Sequence, residues 1–149
     1  MKNTLNEIEL AAWAGFVGTQ GRLFRRIEDE LRQKAGITHS EYEVLLRLYY
    51  SKERRERIQT LAATSLLSRS GTSRAVERLV KVGHVKRTEA EEDGRGAYAE
   101  LTAKGREFYV KTQAEHLKLV REIYIKKFDQ AELMQLAEFW NRFQDMGNN

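Results

Sequence analysis

Leu5, Ile8, Ala12, Phe16, Leu23, Ile27 and Leu31 recur at near-helical intervals among polar residues, and this broken stripe predicts a first helix. Thr4 and Glu7 have capping-box spacing at its start. Ala35-Gly36 marks its stop, because glycine suits the left-handed position beyond a helix end. A span of about 30 residues is far longer than a typical globular helix. Such a helix cannot bury its apolar stripe inside so small a chain, so a partner chain is expected. Gly15, Gly18 and Gly21 interrupt it, each costing about 1 kcal/mol relative to Ala. Close packing against another helix, or a bend, accounts for them; a ligand cavity beside them is the alternative.

The pattern restarts at Thr38, again with capping-box spacing, here to Glu41. Tyr42, Leu45, Leu46 and Tyr49 then form an i, i+3, i+4, i+7 face. The run Lys52-Glu53-Arg54-Arg55-Glu56-Arg57 reads as the exposed end of that helix plus a loop, since mixed charge is usually solvated. Ile58, Leu61, Ala62 and Leu66 mark a short third helix. Ser68 caps a fourth, with Thr72, Ala75, Val76, Leu79 and Val80 inward and Arg69, Ser70, Ser73, Arg74, Glu77, Arg78 and Lys81 outward. Gly83 ends it.

Two short strand-like runs follow, Gly83–Arg87 and Ala97–Leu101, around a charged loop bounded by glycines. They predict a β-hairpin whose tip carries Arg95, held by the nearby Asp93. Thr102 closes the hairpin and caps a fifth helix bearing Phe108, Ala114, Leu117, Val120, Ile123, Tyr124 and Phe128. Asp129 and Glu132 open a sixth, with Leu133, Leu136, Ala137, Trp140 and Phe143 on one face. The chain is therefore read as mainly α with a small β-wing: a winged helix-turn-helix plus a helical dimerisation bundle. Residues 1–37 are assigned to an N-terminal dimerisation helix, 38–105 to a DNA-binding lobe and 106–149 to C-terminal dimerisation helices.

Charge sharpens this picture. The 149 residues carry a net +4, but residues 52–106 hold 13 Lys/Arg and 8 Asp/Glu, a net +5, against −1 elsewhere. The excess lies in the segment containing the hairpin, as a phosphate-binding surface requires. Cysteine is absent, which excludes disulfides, thiol chemistry and thiolate metal sites. The three histidines, His39, His84 and His116, form no i, i+4 pair, so no metal site and no cofactor are expected. No glycine-rich phosphate loop, HExxH or Ser/His/Asp signature occurs, and no catalytic residue is nominated. No apolar run reaches about 18 residues, and residues 1–7 lack a signal-peptide core. A cytoplasmic chain without a membrane partner is the expectation.

Short donors at Ser70 and Ser73 let the start of the fourth helix approach DNA closely. Arg74 is long enough for a guanine edge or a phosphate, while Arg69, Arg78 and Lys81 suit phosphates. Arg95 suits a narrow minor groove, with Asp93 limiting its entropy loss. The bland alternatives are surface ion pairs of Arg74 or Arg78 with Glu77 or Glu89, and edge-strand protection by Lys86 and Arg87.

The stretch Leu67–Arg87 resembles the recognition helix and first wing strand of MarR-type regulators. Asp93-Gly94-Arg95, followed by Leu101-Thr102-Ala103-Lys104-Gly105, resembles that family's D-x-R…L-T-x-x-G wing signature, and the spacing agrees from Arg74 to Gly105. Thr72 and Ala75 depart from it, standing where larger apolar residues are usual. The resemblance implies a homodimer in which the first, fifth and sixth helices interlock. Two wings and two recognition helices would meet a pseudo-palindromic operator in double-stranded DNA, with half-sites about one helical turn apart. It also implies a repressor released by a small-molecule effector, with aromatic or phenolic compounds as the expected class. Trp13, Phe16, His39 and Tyr42 are the candidate effector contacts. The competing readings are a nonspecific architectural DNA binder and a winged interaction module that does not use DNA.

Overall fold

The computed structural model describes residues 4–64, 68–90 and 96–144. Among these described residues six helices and three strands follow in order: α1 (Glu7–Ala35), α2 (His39–Tyr50), β1 (Arg55–Arg57), α3 (Ile58–Thr64), α4 (Arg69–Lys81), β2 (Val85–Glu89), β3 (Ala97–Leu101), α5 (Ala103–Ile123) and α6 (Gln130–Asn141). Single 3-10 turns precede β1 (Lys52–Arg54) and α6 (Ile125–Lys127). Leu66, expected on the third helix, lies outside the described residues. No helix among the described residues is long and apolar enough to cross a membrane.

Local chemistry fixes the helix ends. The α1 capping box falls two residues later than Thr4 and Glu7 suggest. Asn6 Oδ1 accepts from the Glu9 amide at 2.9 Å, and Glu9 Oε2 accepts from the Asn6 amide at 2.8 Å. Asn caps at least as well as Thr, so the later pair wins. At the other end Gly36 adopts φ +69°, and its amide bonds to the Arg32 carbonyl at 3.1 Å. The capping boxes at Thr38/Glu41 and Asp129/Glu132 form as expected.

The charged run after α2 departs from its expected form. It is not a helix end and loop. The helix stops at Tyr50, Glu53 and Arg54 both take φ 56°, and Arg55–Arg57 forms a strand. Left-handed backbone disfavours non-glycine residues by about 1–2 kcal/mol each. Cross-strand stacking offsets that cost. The Arg55 guanidinium lies 3.8 Å from the Tyr98 ring centroid, and Arg57 Nε donates to the Tyr98 hydroxyl at 3.3 Å. Such cation–π contacts stabilise by about 0.5–2 kcal/mol.

The three strands form one antiparallel sheet in the order β1-β3-β2, with Arg57 opposite Tyr98 and Val85 opposite Leu101. Along β3, Ala97, Ala99 and Leu101 are buried while Tyr98 and Glu100 are half-buried, the two-residue period of a one-sided sheet. Val85 is the buried residue of β2, and Lys86 and Arg87 are exposed on this edge strand.

The chain divides into two units: Arg25–Glu115, and Met1–Phe24 together with His116–Asn149. The first of these contains the main core. Leu31, Tyr42, Leu45, Leu48, Leu61, Val76, Leu79, Val85, Leu101 and Tyr109 are all buried there. Burying one such Leu side chain contributes about 1.5–3 kcal/mol. Tyr109 is fully enclosed and packs against Tyr49 and Tyr42, with ring centroids 4.6 and 5.8 Å away.

The second unit leaves many of its large apolar residues exposed. Trp13, Phe16, Trp140 and Phe143 form a chain of tilted rings at centroid distances of 6.1, 5.5 and 6.2 Å. They line an apolar pocket of about 740 Å³ with Ala12 and Glu9. Ile8 nonetheless remains 83% exposed and Trp13 59%. The glycine expectation also changes here. A Cβ on Gly15 would meet nothing within 4 Å, and one on Gly18 only the flexible Arg22 side chain. Close packing within the chain therefore does not account for these two glycines.

Candidate nucleic-acid interface

Helix α4 begins at a cap that the sequence announces. Ser68 Oγ accepts from the Gly71 amide at 3.1 Å, and Thr72 Oγ1 donates to the Ser68 carbonyl at 3.1 Å. That second bond explains the departure at Thr72. The residue is fully buried, yet its hydroxyl is satisfied locally. Ala75, Val76 and Leu79 complete the inward face. Val80, expected inward, is 37% exposed because the buried stripe already closes on Val76 and Leu79.

The outward face carries Arg69, Ser70, Arg74, Glu77, Arg78 and Lys81, all exposed, with Ser73 half-buried. The side chains of Arg69, Arg74 and Lys81 make no ion pair or hydrogen bond among the described residues. Neither Arg74 nor Arg78 pairs with Glu77 or Glu89 among those residues. Arg78 Nη1 instead donates to Glu41 Oε1 at 3.4 Å. Glu41 is buried, and its other oxygen accepts from the Thr38 amide at 3.0 Å. One carboxylate thus caps α2 and braces α4. Asp93 and Arg95 lie outside the described residues.

The wing is fastened to the C-terminal end of α4 at several points. Gly83 turns the chain with φ +81°, and its amide bonds to the Val80 carbonyl at 3.0 Å. The His84 amide bonds to the Leu79 carbonyl at 2.9 Å. Thr102 Oγ1 donates toward the Gly83 carbonyl at 2.7 Å and accepts from the Gly105 amide at 3.0 Å, so it caps α5 while holding the turn. Lys104 Nζ donates to the Val82 carbonyl at 2.7 Å. Every residue of the Leu101–Gly105 segment except Ala103 therefore packs or bonds at this root.

His84 sits inside the root. Its ring stacks on Phe108 at 4.1 Å and 18°, and its Nδ1 is buried without a hydrogen-bond partner. Burial, and secondarily the Lys104 charge, lower its pKa below the ordinary histidine value. The folded chain therefore favours neutral imidazole. The stabilisation is complete above about pH 6.5, the unfolded value, and is lost as pH falls toward the lower folded value. On acidification from about pH 7.5 to about 5.5 the parent chain should lose more thermal stability than His84→Phe. Equal losses in thermal melts would remove His84 as the cause.

Trp13 and Phe16 line the apolar pocket of their unit. His39 and Tyr42 belong to the other unit. There the His39 amide donates to Glu28 Oε2 at 2.7 Å, and Tyr42 is a buried core residue whose phenol burial pushes its pKa up. Periodicity alone cannot distinguish such a core aromatic from a ligand contact. Among the described residues no three His, Asp or Glu side chains gather to hold a metal ion.

Two residues outside the nominated set also reach this face. Gln59 on α3 and Arg87 on β2 line a crevice with Arg69 and Ser73. A polar side chain on a short helix gives no sequence signal of its position, and an arginine on an edge strand is equally compatible with edge protection.

Comparison with known proteins agrees with this architecture. The MarR family model matches residues 35–96. The HTH-type transcriptional regulator PrsX of Escherichia coli is 27% identical over 124 residues, covering 77% of this chain and 72% of the relative. Among solved structures, Sco3205, a MarR family transcriptional regulator from Streptomyces coelicolor in complex with DNA, superposes with a TM-score of 0.91 at 29% identity, covering 97% of this chain and 91% of its own. AbsC, a MarR family transcriptional regulator from the same organism, superposes with a TM-score of 0.86 at 28% identity, covering 97% and 95%. With its helix-turn-helix, three-stranded sheet and wing signature, the chain is similar to the MarR family of winged-helix, DNA-binding transcriptional regulators.

Proposed function

We propose that this regulator is a homodimeric repressor that recognises a specific pseudo-palindromic operator and leaves it on binding a small aromatic effector. The observation that carries the DNA-contact assignment is the row of unpaired cations on the outward face of α4. Arg32 and Arg47 elsewhere, and Arg78 on α4 itself, have carboxylate partners, whereas Arg69, Arg74 and Lys81 have none among the described residues. In this reading Arg74 reads a base edge, Ser70 and Ser73 allow close approach, and Arg69, Arg78 and Lys81 meet phosphates. Arg95, steadied by Asp93, enters the neighbouring minor groove. The exposed aromatic face supports a second copy as partner, and the apolar pocket at Trp13 and Phe16 supports an aromatic effector.

Fluorescence anisotropy on DNA from immediately upstream of the gene, with excess unrelated duplex at fixed salt, tests the reading. Arg74→Ala should weaken specific binding about 5- to 150-fold, the equivalent of about 1–3 kcal/mol. Lys81→Ala should weaken all sequences alike and lower the salt slope by about one unit. Arg95→Ala should reduce the preference for A·T-rich flanks. Parent binding that fails on every sequence selected from a random pool once competitor is added would favour an architectural binder. Effector candidates that release operator DNA without changing tryptophan fluorescence would remove Trp13 from the effector site.

A further inference from the structure

Between the outward face of α4 and the hairpin lies a crevice of about 180 Å³. Gln59, Arg69, Ser73, Arg87, Gly96 and Ala97 line it, so α3, α4, β2 and β3 all contribute. Its polar side chains are two guanidiniums, an amide and a hydroxyl, and no carboxylate lines it among the described residues. The side chains of Gln59, Arg69 and Arg87 have no hydrogen bond or ion pair among those residues. The sheet's other edge differs, since Arg55 and Arg57 are held against Tyr98 there. Two cations and two neutral hydrogen-bonding groups around one small space are chemistry for a single anion.

Position identifies the anion's source. A recognition helix in a major groove and a wing in the adjacent minor groove straddle one sugar-phosphate backbone. That backbone must pass between α4 and the hairpin, where the crevice lies. We propose that the crevice seats one backbone phosphodiester, with Arg69 and Arg87 supplying charge and Gln59 and Ser73 hydrogen bonds. The proposal rests on the DNA-binding face assigned above and adds two contacts to it: Gln59, from the first helix of the helix-turn-helix, and Arg87, from the edge strand. A phosphate contact carries no base information. Its task is positioning, because it fixes how deeply the helix and the wing enter their grooves together.

The test combines protein and DNA substitutions, using a duplex selected from a random pool by the parent protein. Neutral methylphosphonates replace its backbone phosphates one at a time. The parent should lose at least fivefold in affinity at one position per half-site, between the major-groove contacts and the flanking minor groove. In Arg87→Gln that same methylphosphonate should cost less than twofold more, while others keep their full cost. The Arg87→Gln salt slope should fall by about 0.9 for each phosphate that the protein no longer neutralises. Gln59→Ala should weaken selected and unrelated duplexes by the same factor without changing the slope. Both side chains are exposed, so thermal melts should match the parent. Additive losses at every position, or unchanged affinity and slope in Arg87→Gln, overturn the seat. If Arg74→Ala still abolishes specific binding in that case, the DNA-binding face stands and only the seat fails. If neither variant changes binding, the face itself has been misassigned and the seat falls with it.

Discussion

Gly105→Ala is expected to destabilise the fold by about 4 kcal/mol, well above an ordinary surface change. A Cβ there would stand 1.9 Å from the His84 carbonyl oxygen, 2.8 Å from its carbon and 3.0 Å from Leu101 Cδ1. Two of those three atoms are backbone, and that backbone is tied down. The His84 amide bonds to Leu79, and the His84 carbonyl accepts from the Thr102 amide at 3.1 Å. Relief therefore requires the wing to detach from α4 or α5 to shift from its cap. The thermal midpoint should fall by roughly 8–16 °C for a chain of this size. Specific DNA affinity should fall with it. A melt within about 3 °C of the parent, with affinity retained, would mean the root can open at little cost.

Trp140→Glu is expected to separate the proposed dimer and abolish tight operator binding. Trp140 lies between Phe16 and Phe143 on the uncovered aromatic face, and is itself 44% exposed in the single chain. A second copy covering that face would enclose the new carboxylate without a counter-charge. The dimer dissociation constant should then rise on the order of 100-fold or more. Sedimentation should move from twice the 17.4 kDa chain mass toward one. The parent's thermal midpoint should also rise with protein concentration, which needs no variant to fold. An unchanged dimer in Trp140→Glu would move the interface elsewhere.

The legible parts of the sequence were those governed by near neighbours. Thr38/Glu41, Asp129/Glu132 and Ser68 declare helix starts because their partners lie three residues away. Ala97, Ala99 and Leu101 declare a strand through alternation. By contrast, Arg55–Arg57 has no apolar alternation. Its strand depends on Tyr98, 41 residues beyond Arg57, and on two left-handed residues that charge statistics do not reveal. The tie between Arg78 and Glu41, 37 residues away, is likewise invisible in the sequence. Aromatic residues on helical stripes pose the same problem, because Tyr42 and Trp13 look equivalent in sequence but one is core and the other is exposed.

The bonds from His84, Thr102 and Lys104 to the end of α4 have a mechanical consequence. Helix and wing are two teeth cut on one key. Their pitch is set at manufacture, so a poor match at one groove cannot be eased by sliding the other tooth along the duplex. In the proposed dimer, variation in operator spacing would then be absorbed where two keys are joined, and a signal that changes the gauge between them would turn the lock without reshaping either key.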